Sequence, residues 1–130
     1  MTFETSEQLA AAGAEWMKIL RLGEWDVTFA LKRTSQMSQS TRLGETAWRA
    51  NHRKAHVSVL DKIDADELDK ENDQEQVLVH ELLHLRLADL DVTFRPEADS
   101  PLSNVFDQQI ELVVDSVAAA MVRLLRSEAS

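Results

Sequence analysis

The chain has no cysteine and no tyrosine, and among its 130 residues only three glycines and two prolines. The lack of cysteine excludes disulfides and any thiolate metal site, so a bound metal must be held by His, Asp, Glu and water. The lack of tyrosine removes one common donor for a developing oxyanion. Few glycines and prolines leave little room for long Gly- or Pro-rich linkers, and there are no internal repeats. Basic residues are outnumbered, 14 against 23 acidic, for a net charge of −9. That balance argues against a nucleic-acid partner, which requires clustered Lys and Arg, and against anionic membranes. The most apolar run, residues 110–125, is interrupted by Glu111 and Asp115 and is no membrane span. The start "MTFETSEQLA" has neither the basic nor the apolar segment of a secretory signal. The expectation is a cytoplasmic protein with one domain over residues 1–130.

What is present has a clear order. Residues 5–22 carry Leu9, Ala12, Gly13, Trp16, Met17 and Leu20 at helical spacing, with Gly23 as a stop signal. "EWDVTFALKR" (24–33) alternates as a strand does, with Trp25, Val27, Phe29 and Leu31 on one side. A polar loop (34–45), a short strand at "TAWRAN" (46–51) and a third strand at "AHVSVL" (55–60) follow. The acidic segment 61–73 has no strand pattern, and it lacks the glycine and spaced ligands of a calcium loop. It leads through an Asp73–Gln76 capping box into a helix over 74–89. A loop at 91–100 contains Pro96. Ser100 and Pro101 then open a last helix that runs to about Arg126. The class is α+β: N-terminal helix, small three-stranded sheet, and two further helices. Trp16, Trp25 and Trp48 read as core.

The chemistry lies in "QVLVHELLHLRL", residues 76–87. His80-Glu81-Leu82-Leu83-His84 fits H-E-x-x-H, which arises by chance in roughly one such chain in a hundred. Residues four apart on a helix sit about 40° apart around the axis and about 6 Å along it, so both imidazoles can reach one ion. Glu81, one step round from His80, can take a proton from water that the ion activates. Leu82, Leu83, Leu85 and Leu87 anchor the helix to the core.

Two histidines do not complete a catalytic zinc site, which needs three protein ligands and an open position. The metzincin pattern fails because residues 87 and 90 are leucines, and no histidine follows His84. The upstream histidines are His52 and His56. Downstream stand Asp89, Asp91, Glu97, Asp99, Asp107, Glu111, Asp115 and Glu128. Asp89 and Asp91 are too close to fold back onto their own helix, Glu97 and Asp99 lie in the proline loop, and Glu128 is terminal. Asp107, Glu111 and Asp115 remain, spaced four apart on the last helix. Glu111 and Asp115 are surrounded by Ile110, Leu112, Val113, Val114 and Val117. A carboxylate buried there needs a partner, which a metal and its histidines would supply.

His80-Glu81-x-x-His84 followed by Glu111-x-x-x-Asp115 resembles the gluzincin clan of zinc peptidases. The resemblance implies that Glu111 is the third ligand and that Asp115 fixes the distal nitrogen of His80. It also implies one zinc ion per chain, with Glu81 as general base acting on a peptide or protein substrate. In length and element order the chain is similar to minimal gluzincins, which also occur in phage and prophage genomes. The family's sheet pairs an edge strand with extended substrate, and Thr46–Ala50 is the candidate strand. Larger gluzincins add a Tyr or His to hold the oxyanion. Here His52, His56 and Arg95 are the substitutes, which implies weak activity or a need for a partner. The competing readings are a zinc-stabilised, non-catalytic interaction domain and a zinc amidase acting on cell-wall peptide.

Overall fold

The computed structural model describes residues 2–39, 42–67 and 73–129. The end of the acidic segment, 68–72, and positions 40–41 of the polar loop lie outside the described residues. The architecture is α+β, as the sequence predicts: an N-terminal helix, a three-stranded sheet and further helices that end in a long C-terminal one.

Helix α1 spans Ser6–Ile19. The Thr5 hydroxyl accepts from the N–H of Gln8 at 3.1 Å, which satisfies one of the free donors of the first turn. The helix ends before Gly23. Arg21 takes the left-handed conformation (φ 57°), and the N–H of Leu22 donates to the carbonyl of Met17. That turn drives Leu22 into the core, where it is fully buried, and the burial offsets the cost of the unusual backbone at a non-glycine.

Strands β1 (Asp26–Lys32), β2 (Gly44–Arg49) and β3 (Lys54–Leu60) form one sheet in the order β1-β3-β2. β3 is central, parallel to β1 and antiparallel to β2. Strand β2 begins two residues earlier than the alternation suggests, at Gly44. Opposite pairs Gly44–Val59, Thr46–Val57 and Trp48–Ala55 set the register. Val57 and Val59 are fully buried, so Gly44, Thr46 and Trp48 share the helix-facing side. Gly13 lets α1 approach this face closely, since a methyl there would stand 2.5 Å from the ring of Phe29.

A short helix, α2 (Lys62–Glu67), lies within the acidic segment. The motif helix α3 covers Gln74–Arg86 rather than 74–89. It stops at Leu87, and α4 (Ala88–Phe94) turns away. Residues 91–94 of the supposed loop 91–100 are thus helical. Arg95 stabilises that turn by a bidentate pair with Asp91, 2.7 and 2.8 Å. Helix α5 spans Leu102–Ala129, with the Ser100 hydroxyl accepting from the N–H of Leu102 at 3.1 Å. Leu78, Val79, Leu82, Leu83 and Leu85 of α3 are buried between the sheet and α5, which contributes Val114, Ala118 and Val122. Each fully buried leucine stabilises the fold by about 1.5–3 kcal/mol. No described helix is long and apolar enough to cross a membrane.

The start of α3 is held by Asp73, the cap that the sequence predicts, and by Gln74, which the sequence did not single out. Asp73 caps it, accepting from the N–H of Gln76 at 3.1 Å, and pairs with Arg126 of α5 at 2.6 Å. Gln74 is fully buried. Its side-chain oxygen accepts from the N–H of Phe3 at 2.6 Å and its amide donates to the carbonyl of Leu60 at 2.9 Å. Gln74→Leu keeps the volume but strands both groups, each loss costing about 1–3 kcal/mol. The expected outcome is a drop of about 2–4 kcal/mol in unfolding free energy, read from urea denaturation. An unchanged midpoint contradicts the role.

Candidate metal centre

Helix α3 presents His80 and His84 from consecutive turns, and α5 crosses them with Glu111 and Asp115. The Nε2 atoms of the two rings lie 3.3 Å apart. The Glu111 carboxylate bridges them, Oε1 2.9 Å from His84 Nε2 and Oε2 3.2 Å from His80 Nε2. The same three residues offer donor atoms all within 4.8 Å of one another, a group that can hold a metal ion. The spacing suits a small tetrahedral ion. Bonds of about 2.0–2.1 Å at tetrahedral angles separate donor atoms by about 3.3–3.4 Å, close to what the two imidazoles already adopt.

Asp115, one turn beyond Glu111, reaches the other side of the first ring. Its Oδ1 accepts from His80 Nδ1 at 2.6 Å. That bond fixes the ring's orientation and leaves the Nε2 lone pair for an ion. The reason given by the sequence for these two carboxylates needs correction. They are not buried. Their side chains are 52% and 65% exposed, on the wall of an open cleft. The apolar neighbours that suggested burial, Leu112, Val113 and Val117, face outward instead.

Glu81 is the buried carboxylate of the site. Burial pushes its carboxyl above the usual range, and a hydrogen bond from Thr46 together with the charges of His80 and His84 pulls it back. The Thr46 hydroxyl donates to Glu81 Oε1 at 2.7 Å. Oε2 is thereby left toward the histidines, 4.0 Å from His80 Nε2. Strand β2 can come this close because residue 44 is glycine. A methyl there would sit 2.7 Å from Val77 Cγ1 and 3.0 Å from Glu81 Oε2. Gly44 was not legible as a site residue, and Thr46 was legible only as the start of the candidate substrate strand, not as a partner of Glu81. The one signal was the two-residue alternation Gly44, Thr46, Trp48.

The cleft has a volume of about 1030 Å³. The β2 residues Gly44, Thr46 and Trp48 line one wall, α3 forms the floor, and Ile110, Glu111 and Asp115 line the other wall. Trp48 is therefore half core and half cleft, packed on the main cluster with one side open. Of the three substitutes for an oxyanion donor, only Arg95 lines the cleft, and Asp91 and Asp107 hold its guanidinium at 2.7 Å each. His52 is exposed in a short turn outside the cleft. His56 points to the opposite face of the sheet, its Nδ1 2.6 Å from the Thr28 hydroxyl, and burial with the charge of Lys32 pushes its pKa down. Neither lies at the metal group. Arg42, at the mouth beside Gly44, lines the cleft and was not anticipated.

No protein-family model matches this chain, and neither a curated protein nor a solved structure matches it.

Two measurements probe the geometry. Chelator-competition titration on alanine variants should rank the damage to metal binding as Glu111, then Asp115, then Asp107. Loss of a ligand nearly abolishes tight binding, and loss of the bond to His80 Nδ1 costs about 10–100-fold. Asp107, which holds Arg95, should have little effect. Metal loss on Asp107→Ala contradicts the assignment. Separately, Thr46→Val frees the Glu81 carboxylate while Thr46→Ser keeps the bond. A crystal structure of the valine variant should find Oε1 rotated away, and the serine variant should retain the wild-type rotamer. The same carboxylate position in all three contradicts a positioning role for the hydroxyl.

Proposed function

We propose that the chain is a zinc-dependent hydrolase that cleaves peptide bonds, with His80, His84 and Glu111 as metal ligands and Glu81 as general base. One observation carries the reading. Beside the three converging donors stands a fourth, buried carboxylate that is tied to a strand and is not itself a donor. A purely structural metal site is closed by four ligands and has no use for such a group.

A bound zinc ion supplies positive charge that polarises a carbonyl and lowers the pKa of a nearby water to about 7. Zinc is favoured over magnesium or calcium because two of the three donors are imidazoles. Glu81 takes the proton of the attacking water at Oε2, the oxygen Thr46 leaves free, and then passes it to the leaving amine. Asp115 stabilises the charge that builds on His80. Strand β2 is an edge strand of the described sheet, which supports extended backbone as the substrate. These features agree with the resemblance to gluzincins.

The cleft contributes no Tyr or unpaired His donor to a developing oxyanion, which favours slow turnover. The same feature is what a non-catalytic, metal-stabilised domain would have. Digestion of casein separates the two. Wild type loaded with zinc should cleave it, and Glu81→Gln should bind zinc equally but lose about 100-fold or more in rate. Equal rates, or no cleavage by wild type, would refute the peptidase reading.

A further inference from the structure

Helix α5 is anchored on one side only. Val114, Ala118 and Val122 are buried against the body of the protein, and the opposite side is apolar as well. Leu102, Val113, Val117 and Leu124 are 62%, 51%, 38% and 64% exposed. With Phe106, Gln109 and Ala120 they recur at steps of three and four residues, the spacing of a helix–helix seam. Val105 and Leu112 flank the stripe, 50% and 59% exposed. Before Arg123, every charged residue of α5 (Asp107, Glu111 and Asp115) lines the cleft instead. The stripe runs from 102 to 124, about 33 Å at 1.5 Å per residue.

We propose that this stripe is a dimer interface, and that its occupant is α5 of a second copy, lying antiparallel about a twofold axis at Val113. Three arguments favour a second copy. The stripe complements itself: positions equidistant from 113 pair Leu102 with Leu124, Phe106 with Ala120 and Gln109 with Val117. A large ring then faces a small side chain, and leucine faces leucine. Charge points the same way. Two chains of net charge −9 repel across most surfaces, and α5 places no charged side chain of its own on the stripe; the Arg95 guanidinium, over the ring of Phe106, adds a positive charge there. The antiparallel sense also sets Arg123 near the other copy's acidic end, with Asp99, whereas a parallel sense would place like charge on like charge.

Size sets the strength. A strip about 33 Å long and about 15 Å across offers roughly 500 Å² per chain, below the standard of about 800 Å², so the dimer is a small one and is sought at high chain concentration. The cleft, on the other side of α5, stays open. The dimer clamps the helix that carries Glu111 and Asp115.

The absence of cysteine allows a direct test. In the dimer the two copies of residue 113 meet, within the 7 Å or so that a disulfide spans. Val113→Cys under mild oxidation should give a covalent dimer, while Gln108→Cys, exposed on the flank, should not. Sedimentation at about 100 µM should give two-chain mass for wild type and one-chain mass for Val113→Asp, a weakening of about 100-fold or more from two facing carboxylates. Leu102→Glu and Leu124→Lys should each dissociate the dimer, and the double variant should restore it by pairing across the axis. These positions are solvent-exposed, so circular dichroism should be unchanged throughout. A monomeric wild type at that concentration, equal crosslinking at 108 and 113, or a dimeric Val113→Asp each overturns the proposal. None of these readings depends on zinc or hydrolysis.

Discussion

The site depends on one crossing, that of α5 over α3. His80 and His84 share a helix face by periodicity alone, but a metal group exists only because Glu111 arrives from a second helix. Val114, Ala118 and Val122 hold it there, buried against the leucines of α3. The polar reinforcement sits at the end of the crossing, where Arg126 reaches Asp73 and Glu75 at the start of α3. Two packed helices thus fix the bridge between the rings, and the approach distances of 2.9 and 3.2 Å follow from that packing.

The second constraint is the passage of strand β2 over Glu81. A catalytic base in an open cleft loses effectiveness if its carboxylate can rotate. Here the hydroxyl of Thr46 takes one oxygen, Gly44 lets the strand lie against the other, and burial keeps competing water away. On the proposed function, the strand that would receive extended substrate is also the strand that holds the Glu81 carboxylate. Substrate alignment and base alignment would then share one element of a small sheet.

The motif helix and the two carboxylates were legible in the sequence, because four-residue spacing puts side chains on one face in any helix. The element order was legible for the same kind of reason. The exposure of Glu111 and Asp115 was not. An apolar run tells that a helix has greasy sides, but not which side meets the core, and in α5 only one does. Residues 91–94 read as loop because Pro96 and polar composition outweighed a short periodic stretch, yet the Asp91–Arg95 pair completes a helical turn there. Gly23 looked like the stop of α1, while Arg21 made the turn so that Leu22 could be buried. The roles of Gly44 and Thr46 beside Glu81 escaped notice since they are contacts with a helix thirty residues away, which local pattern does not encode.

The central claim is that three side chains from two helices hold one zinc ion with a fourth position open toward Glu81. Crystals grown with zinc and measured on both sides of the zinc absorption edge test it most directly. The account predicts a single anomalous peak about 2.0–2.2 Å from His80 Nε2, His84 Nε2 and a Glu111 oxygen, with water on the Glu81 side and Asp115 still on His80 Nδ1. A peak elsewhere, or a peak at the histidines with Glu111 turned away, would contradict it.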